Sequence, residues 1–103
     1  MMHNHEWIHF HCMEGLTSVD FGHRHSFRGR TDNAYDDEDH VHYFSIYTSF
    51  NEGHSHLVYG YTSKPIYLPD GRHYHLFSGR TSEDGRNCHC HEYRGATSIG
   101  YPY

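Results

Sequence analysis

His9-Phe10-His11-Cys12-Met13-Glu14-Gly15-Leu16-Thr17-Ser18-Val19-Asp20-Phe21-Gly22-His23-Arg24-His25-Ser26-Phe27-Arg28-Gly29-Arg30-Thr31 is the stretch on which the fold turns. It holds the pattern His-x-His-x-x-x-Gly-x-Thr twice, from His9 to Thr17 and from His23 to Thr31. Inside each copy the period is two. One face collects two histidines, an apolar residue (Met13 or Phe27), a glycine and a threonine, while the other face of the second copy carries Arg24, Ser26, Arg28 and Arg30. Alternation of this length is the signature of a half-buried strand. The histidines share their face with the apolar residue, so the pattern directs them toward an interior.

The copy recurs along the chain. Further copies begin at His54, His73 and His89, and one at His40 keeps Thr48 but has Ile46 in place of glycine. They group in twos, and His9, His40 and His73 open units separated by 31 and 33 residues. That period signals a repeat architecture. We expect one all-β repeat domain over 1–103, with an N-terminal segment 1–8 and units at 9–39, 40–72 and 73–103. Three tandem β-hairpins, six short strands, are the favoured arrangement. A parallel β-solenoid with stacked ladders is the alternative. Closing unit one antiparallel about its 18–22 loop sets Met13 against Phe27, and sets His11 and His25 against Gly29 and Gly15. Unit three closes the same way, with Phe77 against Tyr93.

Composition agrees with strands. Tyrosine (10) and phenylalanine (6) are plentiful, a mix that suits pleated sheets. The formal charge is −5 with histidine neutral, and no basic run is present, which argues against nucleic acid as a partner. No stretch approaches the roughly 20 apolar residues of a membrane-spanning helix. The first residues lack a basic n-region and an apolar h-region. A cytoplasmic location is the default expectation, with assembly outside the cell by signal-independent export left open. The acidic 32–39 stretch reads as a solvated linker. The 63–72 stretch, with two prolines and Asp70-Gly71, reads as an ordered turn into His73.

Histidine is the outlier, and all 14 belong to His-x-His pairs: His3/His5, His9/His11, His23/His25, His40/His42, His54/His56, His73/His75 and His89/His91. On a strand, residues i and i+2 share a face about 6.5–7 Å apart, so two imidazoles can converge on one ion. The expected function is multi-site binding of copper, zinc or nickel, several ions per chain, for storage, sequestration or structural reinforcement. Two pairs, or one pair plus another donor, would complete a four-coordinate site. Threonine hydroxyls or backbone carbonyls would take the second N–H of each ring. Cys12, Cys88 and Cys90 are additional candidates for metal or disulfide chemistry; alternation sets Cys88 and Cys90 opposite His89 and His91.

The tandem pattern, the Gly-His-x-His turns (Gly22-His23-Arg24-His25 and Gly53-His54-Ser55-His56) and the segment Pro65-Ile66-Tyr67-Leu68-Pro69-Asp70-Gly71-Arg72-His73-Tyr74-His75 resemble the YmaF-like family of small bacterial proteins. The resemblance spans about residues 9–99 and implies a small histidine-rich protein without supplying a reaction. Ile46, the cysteines around His89 and the extra His3/His5 pair depart from it.

Two other classes stand beside the leading one. The chain reads alternatively as a self-assembling structural protein, a homo-oligomer or filament built through edge strands. In that arrangement His3/His5 complete a site on a neighbouring copy and metal cross-links the assembly. A small metalloenzyme would need one asymmetric site with an open position, which near-identical copies disfavour. The chain is therefore expected not to be an enzyme.

Overall fold

The structure is a computed structural model that describes residues 7–20, 22–50, 53–83 and 89–103. Among these residues there is no helix. The ten strands are β1 (Ile8–Leu16), β2 (Ser26–Arg30), β3 (Ala34–Tyr35), β4 (Tyr43–Tyr47), β5 (Leu57–Tyr61), β6 (Ile66–Tyr67), β7 (His73–Tyr74), β8 (Leu76–Arg80), β9 (Glu92–Ala96) and β10 (Gly100–Pro102). They form several small antiparallel sheets and no closed barrel. The main pairs are β1–β2, β4–β5 and β8–β9, one from each sequence unit.

The expected register is displaced by two residues. Met13 lies opposite Gly29 and Gly15 opposite Phe27; in the third unit Phe77 faces Gly95 and Gly79 faces Tyr93. Matching apolar to apolar across the pair is overruled by a steric fit of ring over glycine. A Cβ on Gly95 would come within 2.7 Å of the Phe77 ring, and one on Gly15 within 2.9 Å of Phe27. Unit two solves the same problem with other residues. Ile46, which breaks the glycine pattern, faces Val58, so a larger residue meets a smaller one. The Ile46 side chain also reaches over Gly29 of unit one, where a Cβ would stand 3.0 Å from it. We expect Gly95→Ala to cost about 1–3 kcal/mol by overpacking, read as a lower urea midpoint at unchanged slope. Adding Phe77→Leu should recover part of that loss.

The threonines latch each pair. Thr31 N–H donates to the His11 carbonyl at 2.9 Å while the Thr31 hydroxyl accepts from His11 N–H at 3.1 Å. The reciprocal bonds recur for Thr17/His25, Thr62/His42, Thr48/His56, Thr97/His75 and Thr81/His91. The residue after each threonine then bonds the next unit. Asp32 N–H donates to Tyr43, Ser63 to Leu76 and Ser98 to Cys12 at one end. At the other end Ser49 donates to Ser26, Ser82 to Leu57 and Ser18 to Glu92. Unit one thus joins two, two joins three, and three returns to one, so the hairpin pairs stand around a common axis.

The body is elongated, 51 × 21 × 17 Å. Its middle is a thin apolar core of Met13, Phe27, Phe44, Ile46, Val58, Phe77 and Tyr93. The linkers cover one end. β3 and β10 both pair with β1, and β6 pairs with β7 through a turn in which Gly71 takes φ 90°. Residues 32–39 are therefore not simply a solvated linker: Ala34–Tyr35 form a strand and Asp36 is buried. Such two- and three-residue strands carry no periodic signal, so the six expected strands become ten.

Candidate metal centre

Alternation along each strand sends both histidines of a pair inward, and the cyclic joining of the hairpins brings three pairs to each end. His9, His11, His40, His42, His73 and His75, from the first copy of each unit, form one cluster and are all buried. The second copies form the other. There, ring nitrogens of His23, His25, His54, His56 and His91 lie within 4.8 Å of one another. His89 falls outside that mutual limit, yet its Nε2 is 3.1 Å from that of His23 and its ring stands 4.9–5.0 Å from four of the others. It occupies the sixth corner. Between the clusters run about six strand residues, or roughly 20 Å.

The arrangement in the first cluster is octahedral. Neighbouring rings stand edge to face, with centroids 4.5–5.1 Å apart and planes at 63–90°. These neighbour relations are the edges of an octahedron with His9/His75, His11/His40 and His42/His73 at opposite corners. Six of its twelve edges, measured between Nε2 atoms, are 3.1–3.2 Å. The second cluster repeats the relation, with centroids 4.8–5.2 Å apart and His23/His56, His25/His89 and His54/His91 opposite.

Backbone carbonyls fix which ring nitrogen carries hydrogen. His11, His42 and His75 place Nδ1 at 2.7–2.9 Å from the carbonyls of Ser98, Asp32 and Ser63. In the other cluster His25, His56 and His91 do the same toward Ser49, Ser82 and Ser18. A carbonyl only accepts, so each Nδ1 must be the donor and each Nε2 presents a lone pair to the centre. His40 is fixed too, by Asp37 carbonyl at 2.6 Å. The Nε2 atoms of His40 and His75, both lone-pair acceptors, then face each other at 3.2 Å. A metal ion shared between the two lone pairs, or a proton on one of them, relieves that contact. In the second cluster, buried Nε2 atoms of His25 and His91 have no hydrogen-bond partner. Six imidazole nitrogens around a common point fit a transition-metal ion of the kind imidazole favours.

The electrostatics agree. Burial, reinforced by the neighbouring rings, pushes His9 down to about 2 and His11 and His75 to about 3. Burial lowers His42, His25 and His89 as well. These rings are thus neutral at pH 7, the state a ligand requires.

The pairs expected from sequence to be ligands therefore converge, three to a site where two were expected. The number of pairs at one centre depends on how many strands meet around an axis, which spacing along one strand does not encode. His3, His5 and Cys88 lie outside the described residues. Cys12 and Cys90 are free thiols and belong to neither cluster. Sequence reasoning missed the serine after the threonine. Its carbonyl takes the ring Nδ1, and in Ser18, Ser49, Ser63, Ser82 and Ser98 its hydroxyl accepts a backbone N–H of the next unit. The signal was present, because Ser follows Thr in five of the six copies. Two carboxylates were also missed: Asp36 Oδ1 is 3.9 Å from His73 Nδ1, and Asp20 Oδ2 is 3.2 Å from His91 Nδ1.

No curated protein and no solved structure matches the chain. A family model does, YmaF, described as spore germination protein GerY/YamF, over residues 31–99, which carry four of the His-x-His pairs. With two thirds of its length and the repeat itself inside that match, the chain belongs to the YmaF family.

Proposed function

We propose that the protein binds two transition-metal ions, one in each histidine cluster, and that the ions lock three hairpin pairs into one body. The observation that carries this is the acceptor-to-acceptor approach of His40 and His75, whose Nδ1 atoms are committed to carbonyls. Without a cation, several buried lone pairs would converge on one point in a low-dielectric interior, a costly arrangement. Each ion would be held by all three sequence units, so binding free energy becomes folding free energy. A binding or structural role fits better than catalysis, because ligands from all sides leave no position for substrate or water. The family description supplies a setting, spore germination, in which a metal-locked domain would serve.

Metal-free protein, prepared without a nickel column, should take up two ions per chain on titration followed by gel filtration and elemental analysis. The double variant His42→Ala/His75→Ala should take up one, because the distant cluster keeps its six rings. Uptake of less than one ion by the unaltered chain, or an unchanged two by the variant, contradicts the reading.

A further inference from the structure

We infer that each cluster is a rigid six-coordinate cage selecting divalent ions of octahedral preference, nickel(II), cobalt(II) or iron(II), over zinc(II) and copper(II). This rests on the two-ion reading and adds which ions are taken. Six Nε2 edges of the first cluster measure 3.1–3.2 Å, and a regular octahedron of that edge has its centre about 2.2 Å from each corner, close to the roughly 2.0–2.1 Å of metal–imidazole bonds. Magnesium and calcium, which take oxygen donors, are excluded by the donor set.

The rings cannot easily withdraw to leave four ligands. His11, His42 and His75 are held through Nδ1 by carbonyls of the neighbouring unit, and His40 by Asp37. His9 is stacked on Trp7 at 4.4 Å with planes 6° apart, and its Cδ2 lies so near Gly100 that a Cβ there would stand 3.0 Å away. An ion bound by only four rings would strand two buried lone pairs. Zinc carries no electronic preference for six ligands and is usually four-coordinate in closed sites. Copper(II) prefers a tetragonal field with unequal bonds, whereas six Nε2 edges of the first cluster all measure 3.1–3.2 Å. Copper keeps its intrinsic advantage for imidazole, so the cage acts by withholding the geometry copper needs. Six neutral ligands leave the ion's double charge intact. The carboxylates of Asp36 beside His73 and Asp20 beside His91 give each cluster one partial counter-charge beyond the ligands.

The test uses the full chain stripped of metal and loaded separately with nickel(II), cobalt(II), zinc(II) and copper(II). X-ray absorption of the nickel and cobalt forms should show six nitrogen neighbours at one distance, and the cobalt form should have the weak visible bands of six-coordination. Nickel-loaded protein should keep most of its metal against about a tenfold excess of zinc. A shell of four nitrogens, an intense blue cobalt spectrum, or ready displacement of nickel by equimolar zinc overturns the cage while leaving two-ion binding intact. Failure of all four ions to bind overturns both.

Discussion

Stripping the metal at neutral pH is expected to lower the melting temperature by about 30 °C or more. The interior explains the size of the effect. Among the described residues seven apolar side chains are buried, while the buried polar residues include His9, His11, His25, His42, His56, His75 and His91. The three hairpin pairs meet through short clusters of hydrogen bonds centred on the residue after each threonine: its N–H, its carbonyl and, where it is serine, its hydroxyl. A domain of this size has a thin core even when the interior is apolar. Here both ends are built of imidazoles. One ion at about a thousandfold over its dissociation constant adds about 4 kcal/mol, and two add about 8. Each kcal/mol moves the midpoint of such a domain by about 4–8 °C. Calorimetry of loaded and chelated protein measures the difference directly. A midpoint shift of only a few degrees would mean that the rings are held by packing alone.

The strands were legible because alternation in each copy is strict from His to Thr, and the inward aim of the histidines followed from sharing a face with Met13, Phe27 or Phe44. What sequence hid is relational. The register was misjudged because a facing pair of apolar residues and a ring over a glycine use the same letters. The two-residue slip keeps every side chain on its face, so face assignment survived the error. Ile46 looked like a departure from the pattern. It is explained only once Val58 is seen opposite and Gly29 beneath. The six-ligand sites were hidden in the same way. The equal rank of the three units was visible, but not that their first copies share one end. Asp36 had no signal beyond lying in an acidic run, and its burial depends on β3 joining β1 beside His9.

Acid should unfold the metal-free protein at about pH 5 to 5.5, far above the folded-state values of His9, His11 and His75. His9 is held at about 2, His11 and His75 at about 3, and His42 is lowered, each first of all by burial. In the unfolded chain the same rings charge near 6.5. As pH falls below about 6.5, the unfolded state takes up protons that the folded state refuses, so stability falls with falling pH. One unit below 6.5, each of His9, His11 and His75 contributes a loss of about 1.4 kcal/mol, about 4 kcal/mol together and about 6 kcal/mol at pH 5, and the lowering of His42 acts in the same direction. That is comparable with the whole stability of a small domain, about 5–15 kcal/mol. The fold therefore gives way long before His9, His11 or His75 protonates in place. Metal opposes the same proton uptake, because ions bind only the neutral rings of the folded state. The loaded protein should unfold at lower pH than the metal-free one, releasing both ions in the same transition. Far-UV circular dichroism against pH, near the temperature of maximum stability at about 10–20 °C, follows the fold while a chromogenic chelator follows the metal. A metal-free fold that persists to pH 3, or metal released well before the fold is lost, would show that the clusters do not couple protonation, metal and folding.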